Sequence, residues 1–129
     1  MNLIKIKESS NNNFSKLCIG IDFGTTNSVC SVKVNDEFKF ILDKDGRKLI
    51  PTLVLYEGTE KKFGNEIVKD KNYFNSIFSV KRNFTKDFSL KIYEDENKTK
   101  ITSVDVSKDF FIYLKKLCEN YLNQQIFDC

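Results

Sequence analysis

The sequence predicts an α/β fold, an antiparallel β-meander with flanking helices. Three observations predict it. Between residues 17 and 56, short apolar or alternating runs are separated by Gly, Asn and Asp clusters, the pattern of consecutive strands. Between residues 107 and 122, apolar residues recur every three or four positions, the pattern of a helix buried on one face. The chain has 129 residues, 40% hydrophobic and 30% charged, which fits one globular domain and argues against a disordered chain.

The elements follow in order. Residues 1–16 read as a flexible N-terminal arm, with Ser-Ser-Asn-Asn-Asn at 9–13 as its link. Residues 17–129 form the domain. The run Leu-Cys-Ile-Gly-Ile-Asp at 17–22 is short and apolar, and reads as a buried strand. Gly24, Thr25, Thr26 and Asn27 make a turn, and Val29, Val32 and Val34 mark the return strand over 28–34. A third strand spans 38–42. After the Asp43-Lys44-Asp45-Gly46 turn, a fourth spans 52–56, introduced by Pro51 where a missing N–H does least harm. Residues 65–71 have helical character. Phe74, Ile77, Phe78 and Lys81 are spaced for a short helix over 73–82, whose Phe74, Ile77 and Phe78 are expected in the core. Residues 86–104 are charged and β-rich, with a hairpin around 95–97. Ser107 is placed to cap the last helix, with Phe110, Phe111, Leu114, Leu117, Cys118, Tyr121 and Leu122 as its apolar stripe.

Composition removes several functions. Histidine is absent, which removes Ser-His and Cys-His nucleophile pairs and every His metal site. Cys18, Cys30, Cys118 and Cys129 form no CxxC pair, so they read as free core thiols and not as a zinc site. Cys18 and Cys30 fall on adjacent strands of the meander. Lys and Arg total 21 against 18 Asp and Glu, a net charge of +3 with the signs mixed along the chain. Arg47 and Arg82 are the only arginines, so a nucleic-acid partner is not expected. No apolar run approaches the ~20 residues of a membrane span. No leader is legible at the start, and the expected setting is cytoplasmic.

One stretch carries chemistry. It is Ile19-Gly20-Ile21-Asp22-Phe23-Gly24-Thr25-Thr26-Asn27-Ser28. A carboxylate at the end of a buried strand, Asp22, can hold a hydrated divalent cation. Gly24 lets the backbone turn tightly and approach a ligand. Thr25 and Thr26 add hydroxyls, and successive turn N–H groups make an anion-binding concavity. Neither the Walker pattern nor GxGxxG is present. The bare Asp-x-Gly-Thr-Thr string serves a hairpin turn as well as a phosphate loop, since each residue is also a good turn former.

The stretch resembles the first phosphate motif of the actin-like ATPase superfamily, in the wording of the seventy-kilodalton heat-shock chaperones. Three further stretches agree in order: residues 45–52 (Asp-Gly-Arg-Lys-Leu-Ile-Pro-Thr), 63–66 (Phe-Gly-Asn-Glu) and 75–82 (Asn-Ser-Ile-Phe-Ser-Val-Lys-Arg). The Gly-Arg-x-Leu-Ile-Pro and Ser-Val-Lys-Arg wordings, with the Leu-Ile-Lys-Ile-Lys-Glu arm, look most like the HscA branch, which serves iron–sulfur cluster assembly. The family's Gly-Arg pair after Lys-Arg is replaced here by Asn83-Phe84-Thr85-Lys86.

The resemblance implies part of lobe I of an actin-like, ribonuclease H-like ATPase domain, and a truncated nucleotide-binding domain over 17–129. It implies ATP and Mg as cofactors. Asp22 orders the metal and its water, Gly24, Thr25, Thr26 and Asn27 wrap the phosphates, and Lys81 reaches the transferred phosphate as the catalytic residue. It implies an unfolded or scaffold-protein peptide as client and a J-domain co-chaperone as partner. The second phosphate loop, the adenosine pocket and the peptide-binding domain are not found in the sequence. Three other readings stand beside the chaperone. The chain could be an inactive remnant or split piece needing a separate completing chain, a small binding module, or a sugar kinase of the same superfamily. The contexts of Pro51 and Lys81 speak against the kinase.

Overall fold

Turn chemistry and strand alternation shape the first half of the chain. The computed structural model describes residues 17–34, 36–84, 90–94 and 97–127, so the expected arm at 1–16 lies outside the described residues. β1 (Ile19–Asp22) and β2 (Asn27–Val34) pair antiparallel, with Ile21 opposite Cys30 and Asp22 opposite Val29. β3 (Glu37–Phe40) continues on the other side of β2, with Val34 opposite Glu37. This is the expected meander.

The fourth strand departs from expectation. In place of one strand over 52–56, β4 (Ile50–Pro51) pairs with the start of β2, Ser28 opposite Ile50. β5 (Val54–Glu57) then leaves to form its own hairpin with β6 (Glu60–Phe63). The break falls at Leu53. The Thr52 N–H still bonds the Thr26 carbonyl at 2.8 Å, in register with β2, but the Leu53 N–H turns back to the Pro51 carbonyl at 2.8 Å.

Residues 73–82 also depart from expectation. α1 (Asn65–Val68) is a single turn in the region of expected helical character. Beyond it come two separate 3-10 turns, Tyr73–Asn75 and Val80–Asn83, and not one helix. Between them Ile77 bridges Val54 antiparallel: its N–H donates to the Val54 carbonyl at 2.7 Å, and its carbonyl accepts from Val54 at 3.2 Å. Backbone groups spent on that bridge cannot close helical turns. Only Ile77 of the expected apolar trio is buried. Phe74 is 92% exposed and Phe78 66% exposed, so neither belongs to the core.

β7 (Leu90–Glu94) and β8 (Asn97–Ile101) form the expected hairpin. α2 (Ser103–Leu122) then starts four residues before the expected cap. Thr102 is the cap. Its hydroxyl accepts from the Asp105 N–H at 3.2 Å, and the Asp105 carboxylate accepts from the Thr102 N–H at 3.0 Å. This reciprocal pair satisfies donors that the first helical turn leaves open. Ser107 lies one turn inside, where its hydroxyl donates to the Ser103 carbonyl at 2.8 Å. The buried stripe of α2 is Val106, Phe110, Leu114 and Cys118, while Phe111 and Tyr121 are only partly covered, at 40% and 46% exposure.

The core lies between sheet and helix. Ile19, Cys30, Val32, Ile41, Ile50 and Val54 meet that α2 stripe in one apolar cluster. Leu53, Leu55 and Ile67 make a smaller one. Cys18 is exposed, unlike the core thiols Cys30 and Cys118. Ile19 points into the core from β1, so its neighbour Cys18 projects from the opposite face and cannot reach Cys30. Cys129 lies outside the described residues. No described helix is long and apolar enough to cross a membrane.

Candidate functional site

The turn between β1 and β2 is tight and is tied down from two sides. Gly24 sets its tightness: a Cβ there would lie 2.1 Å from the Asn27 carbonyl oxygen, a distance no real contact permits. Thr52, 3% exposed, clamps the turn from β4. Its hydroxyl donates to the Gly24 carbonyl at 3.0 Å and lies 2.9 Å from the Ser28 hydroxyl, and its N–H bonds Thr26. From the other direction, the Lys81 ammonium donates to the Phe23 carbonyl at 3.2 Å. The chain enters that 3-10 turn through Ser79, whose φ of 54° is left-handed backbone.

A cleft of about 350 Å³ opens beside the turn. Thr25, Thr26 and Asn27 line it together with Val68, Tyr73 and Phe78. Asp22 and Lys81 fall outside its lining. Asp22 ends β1 as an exposed carboxylate, two residues before Gly24. The sequence-predicted residues thus separate into a turn that faces the cleft, a lysine bonded to the backbone of that turn, and an acid at its root. The donor set suits a metal–phosphate group. Hydroxyls and an ammonium are phosphate ligands, and a carboxylate is the usual holder of a hydrated Mg ion.

A polar cluster fixes the approach to β4. Asn65, buried, donates to the Asp43 carboxylate at 2.6 Å and to the Leu49 carbonyl at 3.3 Å, and accepts from Arg47 at 3.1 Å. Burial works to raise the Asp43 carboxyl. The N–H groups of Arg47 and Asp45, the Asn65 amide and the Arg47 charge outweigh it and hold Asp43 below the usual carboxylate range.

Sequence reasoning missed Thr52 and the apolar lining of the cleft, Val68, Tyr73 and Phe78. Thr52 had a signal: one hydroxyl inside the apolar run Ile-Pro-Thr-Leu-Val-Leu needs a partner when buried. Phe78 had none, because its exposure follows from the Ile77 bridge.

A family model described as Hsp70 protein matches residues 18–129. The chain belongs to the Hsp70 family. Among curated relatives, the chaperone protein HscA homologue of Rickettsia prowazekii (strain Madrid E) is 30% identical over 98% of this chain. Those of Rickettsia africae (strain ESF-5) and Rickettsia conorii (strain ATCC VR-613 / Malish 7) are 29% identical over the same share. The chain spans 24% of the length of each of these relatives. Its antiparallel sheets and packed helices correspond to part of an Hsp70 ATPase lobe.

Proposed function

We propose that this chain carries the phosphate-binding start of an HscA-type Hsp70 chaperone and takes ATP with Mg in the cleft beside residues 24–27. One observation carries the reading: Lys81, 58 residues away in sequence, bonds the carbonyl immediately before Gly24. A cation and a phosphate-type turn are brought together by the fold and not by local sequence. When bound, Mg-ATP supplies the transferable phosphoryl group. Asp22 would order the metal's water, Thr25 and Thr26 would donate hydroxyls to the phosphates, and Lys81 would turn its ammonium toward the transferred group. Positioning and charge neutralisation are the main demands of phosphoryl transfer. The chaperone role is proposed with its partners: unfolded or scaffold-protein peptides as clients, a J-domain co-chaperone, and iron–sulfur cluster assembly or protein folding as the setting.

Calorimetric titration of the purified chain with Mg-ATP tests this. Thr25→Ala and Lys81→Ala should each weaken binding by roughly tenfold, the loss of one charge-assisted phosphate contact. No heat from a chain shown to be folded would refute the reading.

A second reading is a site that works only with a separate completing chain. It is favoured by an apolar groove of about 330 Å³ along β1, lined by Ile19, Ile21, Phe111, Ile112 and Phe127. In that case binding would appear only after the downstream piece is added.

A further inference from the structure

Thr52 is buried, and both its N–H and its hydroxyl reach the turn between β1 and β2. A hydroxyl has one proton to give. Thr52 gives it to the Gly24 carbonyl at 3.0 Å, so in the 2.9 Å bond between the two hydroxyls the buried Ser28 is the donor. The pair forms a chain with one direction, from Ser28 through Thr52 to the turn. A peptide unit is planar and trans, so tying its carbonyl to one side aims the following N–H to the other. Thr52 ties the Gly24 carbonyl and so aims the Thr25 N–H. Lys81 ties the Phe23 carbonyl and so aims the Gly24 N–H. Neither N–H has an acceptor among the described residues. Adjacent open N–H groups are the donors an anion uses.

The two ties differ in permanence. Lys81 is exposed on a flexible stem, and toward a phosphate it would give up the Phe23 carbonyl. Thr52 is enclosed and short, so its bond to Gly24 persists. We propose that Thr52 is a positioning residue of the nucleotide site: it keeps the Thr25 N–H aimed while Lys81 changes partner. The proposal rests on the nucleotide reading above. Thr52 acts through the Gly24–Thr25 peptide, and its effect is that of a donor fixed before the ligand arrives.

The test uses the full chain with Thr52→Val, which removes the hydroxyl, and Thr52→Ser, which keeps it. Thr52→Ala replaces the valine variant if that chain does not fold. Each is titrated calorimetrically with Mg-ATP well below its melting temperature. Thr52→Val should weaken binding about fivefold, one hydrogen bond's worth, and Thr52→Ser should stay within about twofold of the parent. A second readout needs no ligand. The NMR order parameters of the Gly24 and Thr25 amides should be about 0.85 in the free parent and in Thr52→Ser, and should fall below about 0.6 in Thr52→Val. Unchanged affinity in a folded Thr52→Val chain would overturn the positioning role, and so would equal losses in the valine and serine variants. No heat from the folded parent would refute the nucleotide reading instead. The order parameters would then decide the clamp by themselves, and unchanged values in Thr52→Val would overturn it.

Discussion

At Gly24 the missing side chain decides whether the turn exists. Adding a methyl group forces it to within 2.1 Å of the Asn27 carbonyl oxygen, and that oxygen is backbone and cannot swing aside. Gly24→Ala should destabilise the chain by about 3 kcal/mol, the upper range for an overpacked site, as read by urea unfolding. It should also abolish Mg-ATP heat in a sample still folded. A stable Gly24→Ala chain with unchanged unfolding would mean that the turn is looser than the geometry shows. Gly24, Thr25 and Thr26 are legible in sequence because their roles are local: a turn needs small and polar residues in a short run. Thr52 acts on the same turn from 28 residues away, and no run of residues records that contact.

At the scale of elements, helix position is set by capping more than by the apolar stripe. Periodicity locates the buried face of α2 well, since Phe110, Leu114 and Cys118 are all fully enclosed. It cannot choose between Thr102 and Ser107 as the cap, because both are hydroxyl residues before an apolar run. Asp105, three residues after Thr102, decides by returning the bond. Thr102→Ala should therefore cost about 1 kcal/mol, whereas Ser107→Ala, which removes no cap, should cost less. Chemical denaturation of the two variants side by side measures the difference. A larger loss from Ser107→Ala would place the start of the helix where the sequence pattern alone puts it. The region 73–82 shows the opposite limit. Its spacing is helical, yet one pair of bonds between Ile77 and Val54 breaks the helix and turns Phe74 and Phe78 outward. Long-range backbone pairing overrides local propensity there.

Across the whole molecule, carboxylates join segments that the strand ladders leave apart. Asp43 anchors the loop before β4 to Asn65 at the start of α1. Glu57 and Asp70 share Lys62, which links the β5–β6 hairpin to the chain beyond α1. Asp105 closes the cap of α2. All four are held below the usual carboxylate range: Glu57 and Asp70 first by hydrogen bonds from Lys62, Asp105 first by hydrogen bonds from Thr102, and Asp43 by the donors around it against its burial. The sign follows from linkage. Below the ordinary values of 3.8 for Asp and 4.5 for Glu, the unfolded chain binds protons that the folded chain still refuses. Stability is therefore fully present above those values and is lost as pH falls through the lower folded values. The melting temperature should be level from about pH 7 down to about pH 5 and then drop steadily toward pH 3. Asp43→Asn should shallow that drop, because its share of the linkage is removed while its side chain still accepts a hydrogen bond. A melting temperature that stays level through pH 3, or an Asp43→Asn curve identical to the parent's, would show that these contacts do not hold the segments together.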